Sequence, residues 1–87
     1  MVDLREFMGK IEDAERIGVM YSMTNGINIS FNSDLVDVYT DAKNVNIITQ
    51  DGEVNIPKDD IYRIVVLESG AVIFDLNSGG GVAFSVL

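Results

Sequence analysis

The chain has no histidine, no cysteine and no tryptophan, and it sets only six basic residues against 14 acidic ones. Each shortage excludes something. Without His or Cys, the commonest general base and the best nucleophile are missing, so catalysis is not expected. Without Cys no disulfide can staple the fold, and without a His/Cys set no structural zinc can. The six basic residues are Arg5, Lys10, Arg16, Lys43, Lys58 and Arg63, and they form no run. Nucleic-acid binding relies on Lys and Arg displacing counterions, and a formal charge of −8 opposes it. No segment approaches the roughly 18 apolar residues of a membrane span. Asp3, Arg5 and Glu6 interrupt the start of the chain, where a secretory signal needs a continuous apolar core. The expectation is a cytoplasmic protein that touches neither membrane nor nucleic acid.

What is present is apolar. The 87 residues are 47% hydrophobic and are read as one domain, 1–87. A domain of this size buries only about two-thirds of the surface its unfolded chain exposes. Stability must therefore come from apolar packing, from pairing with another copy, or from both.

A helix is expected over 3–17. Asp3 and Glu6 form a D-x-x-E variant of the capping box. Leu4, Phe7, Met8, Ile11 and Ala14 recur at helical spacing, Glu6/Lys10 and Glu12/Arg16 are i,i+4 pairs, and Gly18 can cap the end. Gly9 is a weak point, or a place where another backbone comes close.

From 19 to 87 the apolar period becomes two, and hairpins follow. Asn25-Gly26 joins 19–23 to 27–31. As a two-residue turn it would set Ser22 opposite Ile29 and Met20 opposite Phe31. A break at Asn32-Ser33-Asp34 precedes a strand at 35–40. A second hairpin, 45–49 with 53–56, turns near Asp51-Gly52 and puts Val45, Ile47, Val54 and Ile56 on one face. Pro57-Lys58-Asp59-Asp60 ends it in a turn or a single helical turn. A third hairpin joins 61–67 to 71–76 through Ser69-Gly70. Ile61, Val65, Leu67, Val72 and Phe74 fall on one side, and Ile64, Val66 and Ile73 on the other. Strands apolar on both faces read as central strands. The fold class expected is mainly β (α+β), with one N-terminal helix packed on a small antiparallel sheet or barrel of about seven short strands.

Chemistry-bearing motifs are few. Asn77-Ser78-Gly79-Gly80-Gly81 leads into a strand and has no Lys nearby, so it reads as a turn or kink and not as a phosphate cradle. Asp34, Asp37 and Asp41 lie on an extended segment and would not converge on a cation, and no EF-hand spacing occurs. No metal and no cofactor is expected. Tyr21, Tyr39 and Tyr62 read as half-buried strand residues.

Residues 54–61, Val-Asn-Ile-Pro-Lys-Asp-Asp-Ile, read as strand, single turn, strand. With the leading helix, this resembles the architecture of the small Sm-like and SH3-like barrels over residues 3–67. The Arg-Gly and loop Asn pattern of Sm RNA pockets is absent. What the resemblance implies is ring or dimer formation through strand edges.

The function expected is non-catalytic protein binding by an acidic module. One form is a stoichiometric inhibitor or immunity-type protein that meets a basic partner through Asp34, Asp37, Asp41, Asp59 and Asp60. The alternative is a homo-oligomeric structural or assembly protein of a virus particle or multi-subunit complex. A homo-oligomer, a dimer first of all, is expected through the apolar surplus, using strand 82–87 with Val82, Phe84, Val86 and Leu87 as interface residues, an open sheet edge, or the uncovered sheet face.

Overall fold

The computed structural model describes residues 4–87. One helix, α1 (Leu4–Ile11), precedes seven strands: β1 (Arg16–Ser22), β2 (Asn28–Thr40), β3 (Asn44–Thr49), β4 (Gly52–Pro57), β5 (Ile61–Val66), β6 (Val72–Leu76) and β7 (Gly81–Val86). A single 3₁₀ turn, Lys58–Asp60, lies between β4 and β5. The strands form one antiparallel sheet in the order β4-β3-β2-β1-β7-β6-β5. A flat sheet would hold its outer strands about 29 Å apart, six spacings of ~4.8 Å. The four chain steps from Pro57 to Ile61 span at most ~14 Å. The short connection therefore forces the sheet to curl round its core.

The helix stops well short of residue 17. Its last i→i+4 bond runs from the Glu12 amide to the Met8 carbonyl, and the Ala14 amide closes a tighter turn on Ile11. Glu12, Asp13 and Glu15 follow directly, and negative charge at a helix C-terminus opposes the macrodipole. Arg16 is consequently a strand residue that pairs with Asp34, not with Glu12, and Gly18 lies inside β1 instead of capping a helix. A Cβ on Gly9 would meet nothing, so no close approach explains that glycine. The Asp3 cap falls outside the described residues.

An eight-residue helix is marginal alone. It persists because Phe7 and Ile11, one turn apart, are buried against the inner face of the sheet. Phe7 meets Phe74 edge-on at 4.8 Å between ring centroids and Phe84 at 5.5 Å. Phe74 and Phe84 are themselves T-shaped at 5.8 Å. Ile17, Val19, Val45, Ile47, Ile56, Ile64, Val72 and Val82 complete the core.

Three hairpins close through one loop design. In each, a glycine amide donates to the carbonyl three residues back, and that same residue's amide donates to the carbonyl beyond the glycine. The sets are Met23/Gly26/Ile27, Leu67/Gly70/Ala71 and Leu76/Gly79/Gly80. The glycines take φ of +88°, +90° and +96°. This is a three-residue loop with glycine in the left-handed region, not a two-residue turn. The extra residue moves the expected register by one. Tyr21 faces Ile29 and Ser22 faces Asn28. In the third hairpin Ile64 faces Phe74 and Val66 faces Val72, so Ile64 and Val66 share the core face while Val65 faces Ile73 outside. β5 is an outer strand of the sheet, not a central one.

β2 has no break at Asn32-Ser33-Asp34. It runs unbroken from residue 28 to residue 40, pairing first with β1 and then with β3. A bulge between Leu35 and Asp37 leaves Val36 facing solvent and carries the strand round the bend of the sheet. The β3–β4 hairpin keeps Val45, Ile47, Val54 and Ile56 on one face as expected, through the pairs Val45–Ile56 and Ile47–Val54. Its connection is Gln50-Asp51, tied to β2 by the Asp51 amide donating to the buried Ser33 Oγ at 3.2 Å.

Candidate functional site

The five acidic candidates are mostly engaged in their own local structure. Asp34 pairs with Arg16 at 2.8 Å across β1 and β2. Asp37 Oδ1 accepts the Val38 amide. Asp41 organises the β2–β3 turn: Oδ1 accepts the Lys43 and Asn44 amides, and Oδ2 accepts Asn46 Nδ2 at 3.1 Å. Hydrogen bonds from the Asn44 and Lys43 amides, then from the Asn46 side chain, hold the Asp41 carboxyl below the ordinary Asp range. Asp60 accepts both the amide and the hydroxyl of Ser78, which tethers the β6–β7 loop to the 3₁₀ turn. The Asp59 carbonyl, not its carboxylate, accepts Asn77 Nδ2. No group of acidic side chains among the described residues is arranged to hold a metal ion.

The glycine run acts by close packing. A Cβ on Gly79 would fall 2.3 Å from Thr24 Cγ2, and one on Gly80, where φ is +77°, would fall 2.3 Å from the Ser22 carbonyl oxygen. A Cβ on Gly81 would lie 3.1 Å from the Phe74 carbonyl. The loop thus sits tightly against the end of the β1–β2 hairpin.

Of the C-terminal candidates, Val82 and Phe84 are in the core of this one chain, because β7 lies between β1 and β6 and turns both side chains inward. They cannot serve as interface residues without unfolding it. Val86 and Leu87 are exposed, at 54% and 60%.

The uncovered sheet face, expected from the sequence without any residues assigned to it, is the outer face of the same strands. Directly opposed residues in antiparallel strands share a face. Val19, Phe84, Val72 and Phe74 point inward, so the alternate positions point outward. One outer row runs Ser30, Met20, Ala83, Ile73, Val65, and the next runs Asn32, Gly18, Ser85. All of these but Val65, with Leu67, Ala71 and Leu87, line an open groove of about 440 Å³. Its floor is made of small residues, and Met20, Leu67 and Leu87 are exposed beside it.

Charge is sorted around this groove. Residues 17–33 and 76–87 contain no charged side chain, and the sheet order brings them together as β2, β1 and β7. Two ion pairs lie on the outer face of these strands, Arg16 with Asp34 and Arg63 with Asp75, and Glu68 sits in the loop between the groove-lining Leu67 and Ala71. The Asp75 carboxylate, by hydrogen bond and by charge, raises the pKa of Arg63 further above its usual value. The two pairs cancel, so the formal −8 lies on the rest of the surface. Two uncharged sequence stretches were the available signal, but only the strand order makes them neighbours.

No protein-family model, curated protein or solved structure matches the chain. No helix among the described residues is long and apolar enough to cross a membrane.

Proposed function

We propose that this chain is a non-catalytic protein-binding module whose contact surface is the outer face of β1, β7, β6 and β5 together with residues 28–33 of β2. The sorting of charge supports this reading. A strongly acidic chain keeps the stretches 17–33 and 76–87, which supply most of one apolar, small-residue face, free of charged side chains, and apolar surface left in water favours association. The lack of His and Cys is in keeping with binding in place of catalysis.

A second reading keeps the acidic remainder as the contact for a basic partner, in the manner of a stoichiometric inhibitor or immunity-type protein. Its support is the −8 charge, since a carboxylate that accepts hydrogen bonds within its own turn still carries its charge. One comparison separates the two. Partners recovered from the native host are titrated against Ala83→Arg, which places a charge on the groove floor, and against Asp37→Asn with Asp59→Asn. The outer-face reading expects Ala83→Arg to abolish binding and the double Asn variant to bind as before. Loss of binding in the Asn variant alone, with affinity falling steeply as salt rises, would establish the acidic-surface reading instead. Turnover of any substrate would overturn both.

A further inference from the structure

We infer that Asn25 is a self-modifying site, at which the Gly26 backbone nitrogen attacks the Asn25 carboxamide and converts residue 25 to aspartate and isoaspartate in the folded protein. Water is the only co-reactant. The Gly26 nitrogen bonds to Asn25 Cγ and gives up its proton, the Cγ–Nδ2 bond breaks, and Nδ2 takes a proton and leaves as ammonia. Water then opens the cyclic imide at one carbonyl or the other, giving aspartate or isoaspartate. Nothing is oxidised or reduced, and a neutral side chain becomes a carboxylate.

The chain has seven Asn residues, and their surroundings separate them. Ring closure requires the nitrogen of the next residue to swing onto Cγ. A following side chain hinders that movement, and a strand ladder prevents it. Asn28, Asn32, Asn44, Asn46 and Asn55 lie in β2, β3 and β4, and each is followed by a residue with a side chain. Freeing a paired strand costs far more than fraying a loop. Asn77 lies in a loop but is pinned: its amide donates to the Asp60 carbonyl and its Nδ2 to the Asp59 carbonyl. The nitrogen that would attack it, that of Ser78, donates to Asp60 Oδ1 at 2.9 Å. Asn25 alone is followed by glycine, and it stands exposed in the loop between β1 and β2.

Local geometry favours the reaction there. Asn25 Oδ1 accepts the Ile27 amide at 3.1 Å. That donor draws electron density from Cγ and is placed to hold the negative oxygen formed as the nitrogen adds. Residues 17–33 and 76–87 carry no charged side chain, so no carboxylate of the hairpin or of the loop beside it opposes loss of the Gly26 proton. The opposing contact is one hydrogen bond, from the Gly26 amide to the Met23 carbonyl at 3.1 Å. In an exposed loop such a bond favours the closed form only about fivefold, because water competes for both groups. Space for the movement is open, since a Cβ on Gly26 would meet nothing within 4 Å. The aspartate product keeps an oxygen for the Ile27 amide. The isoaspartate product adds one main-chain atom between Met23 and Ile27, whose bond closes the three-residue loop.

The test holds the full chain, folded and unfolded in guanidinium chloride, in mildly alkaline buffer and follows it by isoelectric focusing and mass spectrometry. Each event adds a negative charge and raises the mass by the difference between water and ammonia. Trypsin releases residues 17–43, which hold Asn25, Asn28 and Asn32 together, and fragmentation of that peptide assigns the site. The expected result is modification first at Asn25, as both isomers, with the folded chain reacting within about tenfold of the unfolded rate. Asn25→Gln, whose longer side chain closes a larger ring poorly, should give no acidic form on the same time scale. A first modification at any other Asn overturns the inference. So does a folded chain that reacts more than about tenfold slower than the unfolded one, since more than a single hydrogen bond would then hold the loop shut.

Discussion

Replacing single glycines by alanine separates backbone strain from crowding in this fold. Gly26, Gly70, Gly79 and Gly80 all take positive φ, from +77° to +96°. At Gly26 and Gly70 an added Cβ meets nothing within 4 Å, so the substitution should cost only the left-handed penalty, ~1–2 kcal/mol. At Gly79 the Cβ would also lie 2.3 Å from Thr24 Cγ2, and overpacking of that kind adds ~1–3 kcal/mol. Gly79→Ala should thus cost roughly 2–5 kcal/mol, a large share of the total for a domain whose stability is on the order of 5–10 kcal/mol. The clashing atom is a methyl that serine lacks. Thr24→Ser should therefore return Gly79→Ala to the cost of Gly70→Ala, a coupling of ~1–3 kcal/mol. Gly80→Ala clashes with the Ser22 backbone oxygen, and no side-chain change at residue 24 should rescue it. Urea unfolding followed by far-UV circular dichroism measures wild type, the four Gly→Ala variants, Thr24→Ser and the Thr24→Ser/Gly79→Ala double variant, and unchanged m-values would show that the denatured state is not the source. If Gly79→Ala costs no more than Gly70→Ala, or if Thr24→Ser fails to relieve it, the packing of this loop against the β1–β2 hairpin is wrong.

Two further expectations follow from the core and from the β2–β3 turn. Phe7→Ala removes the ring that touches both Phe74 and Phe84 and should cost ~3–5 kcal/mol, with helical signal lost before the sheet melts; a loss below ~1 kcal/mol in a urea titration would show that α1 is not held by this contact. The Asp41 carboxyl is held below its unfolded range, so its contribution is present above the unfolded pKa, ~3.9, and is lost as pH falls through the lower folded value. Wild type should therefore melt above Asp41→Asn at pH 7, with the gap closing in strong acid; a gap that stays constant with pH would place the effect elsewhere.

Much of the fold was legible because it is local. The period-two pattern, the glycines at turns and the Pro57 stop define strands without reference to anything distant. The face shared by Val45, Ile47, Val54 and Ile56 came out as expected because its loop has the two residues that simple pairing assumes. Where the loop holds three, as at Asn25-Gly26 and Ser69-Gly70, the residues are the same but the register moves by one, and Ile64 and Val66 change sides. The loop type depends on how the strands twist towards one another, which a turn dipeptide does not specify. The helix end was misplaced for a related reason. Ala14 continues the apolar spacing of Leu4, Phe7 and Ile11, yet Ile17 and Val19 gain more by entering the core from a strand.

By itself the sequence determined composition and its exclusions: an acidic chain with no His or Cys, apolar enough to fold, and turn-rich enough to fold as hairpins. Tertiary structure decided which residues are neighbours. It placed β7 between β1 and β6, so that Val82 and Phe84 belong to the core, and it laid the uncharged stretches 17–33 and 76–87 side by side. Contact between segments so far apart along the chain is fixed by strand order and by the curl of the sheet. No local pattern encodes either one.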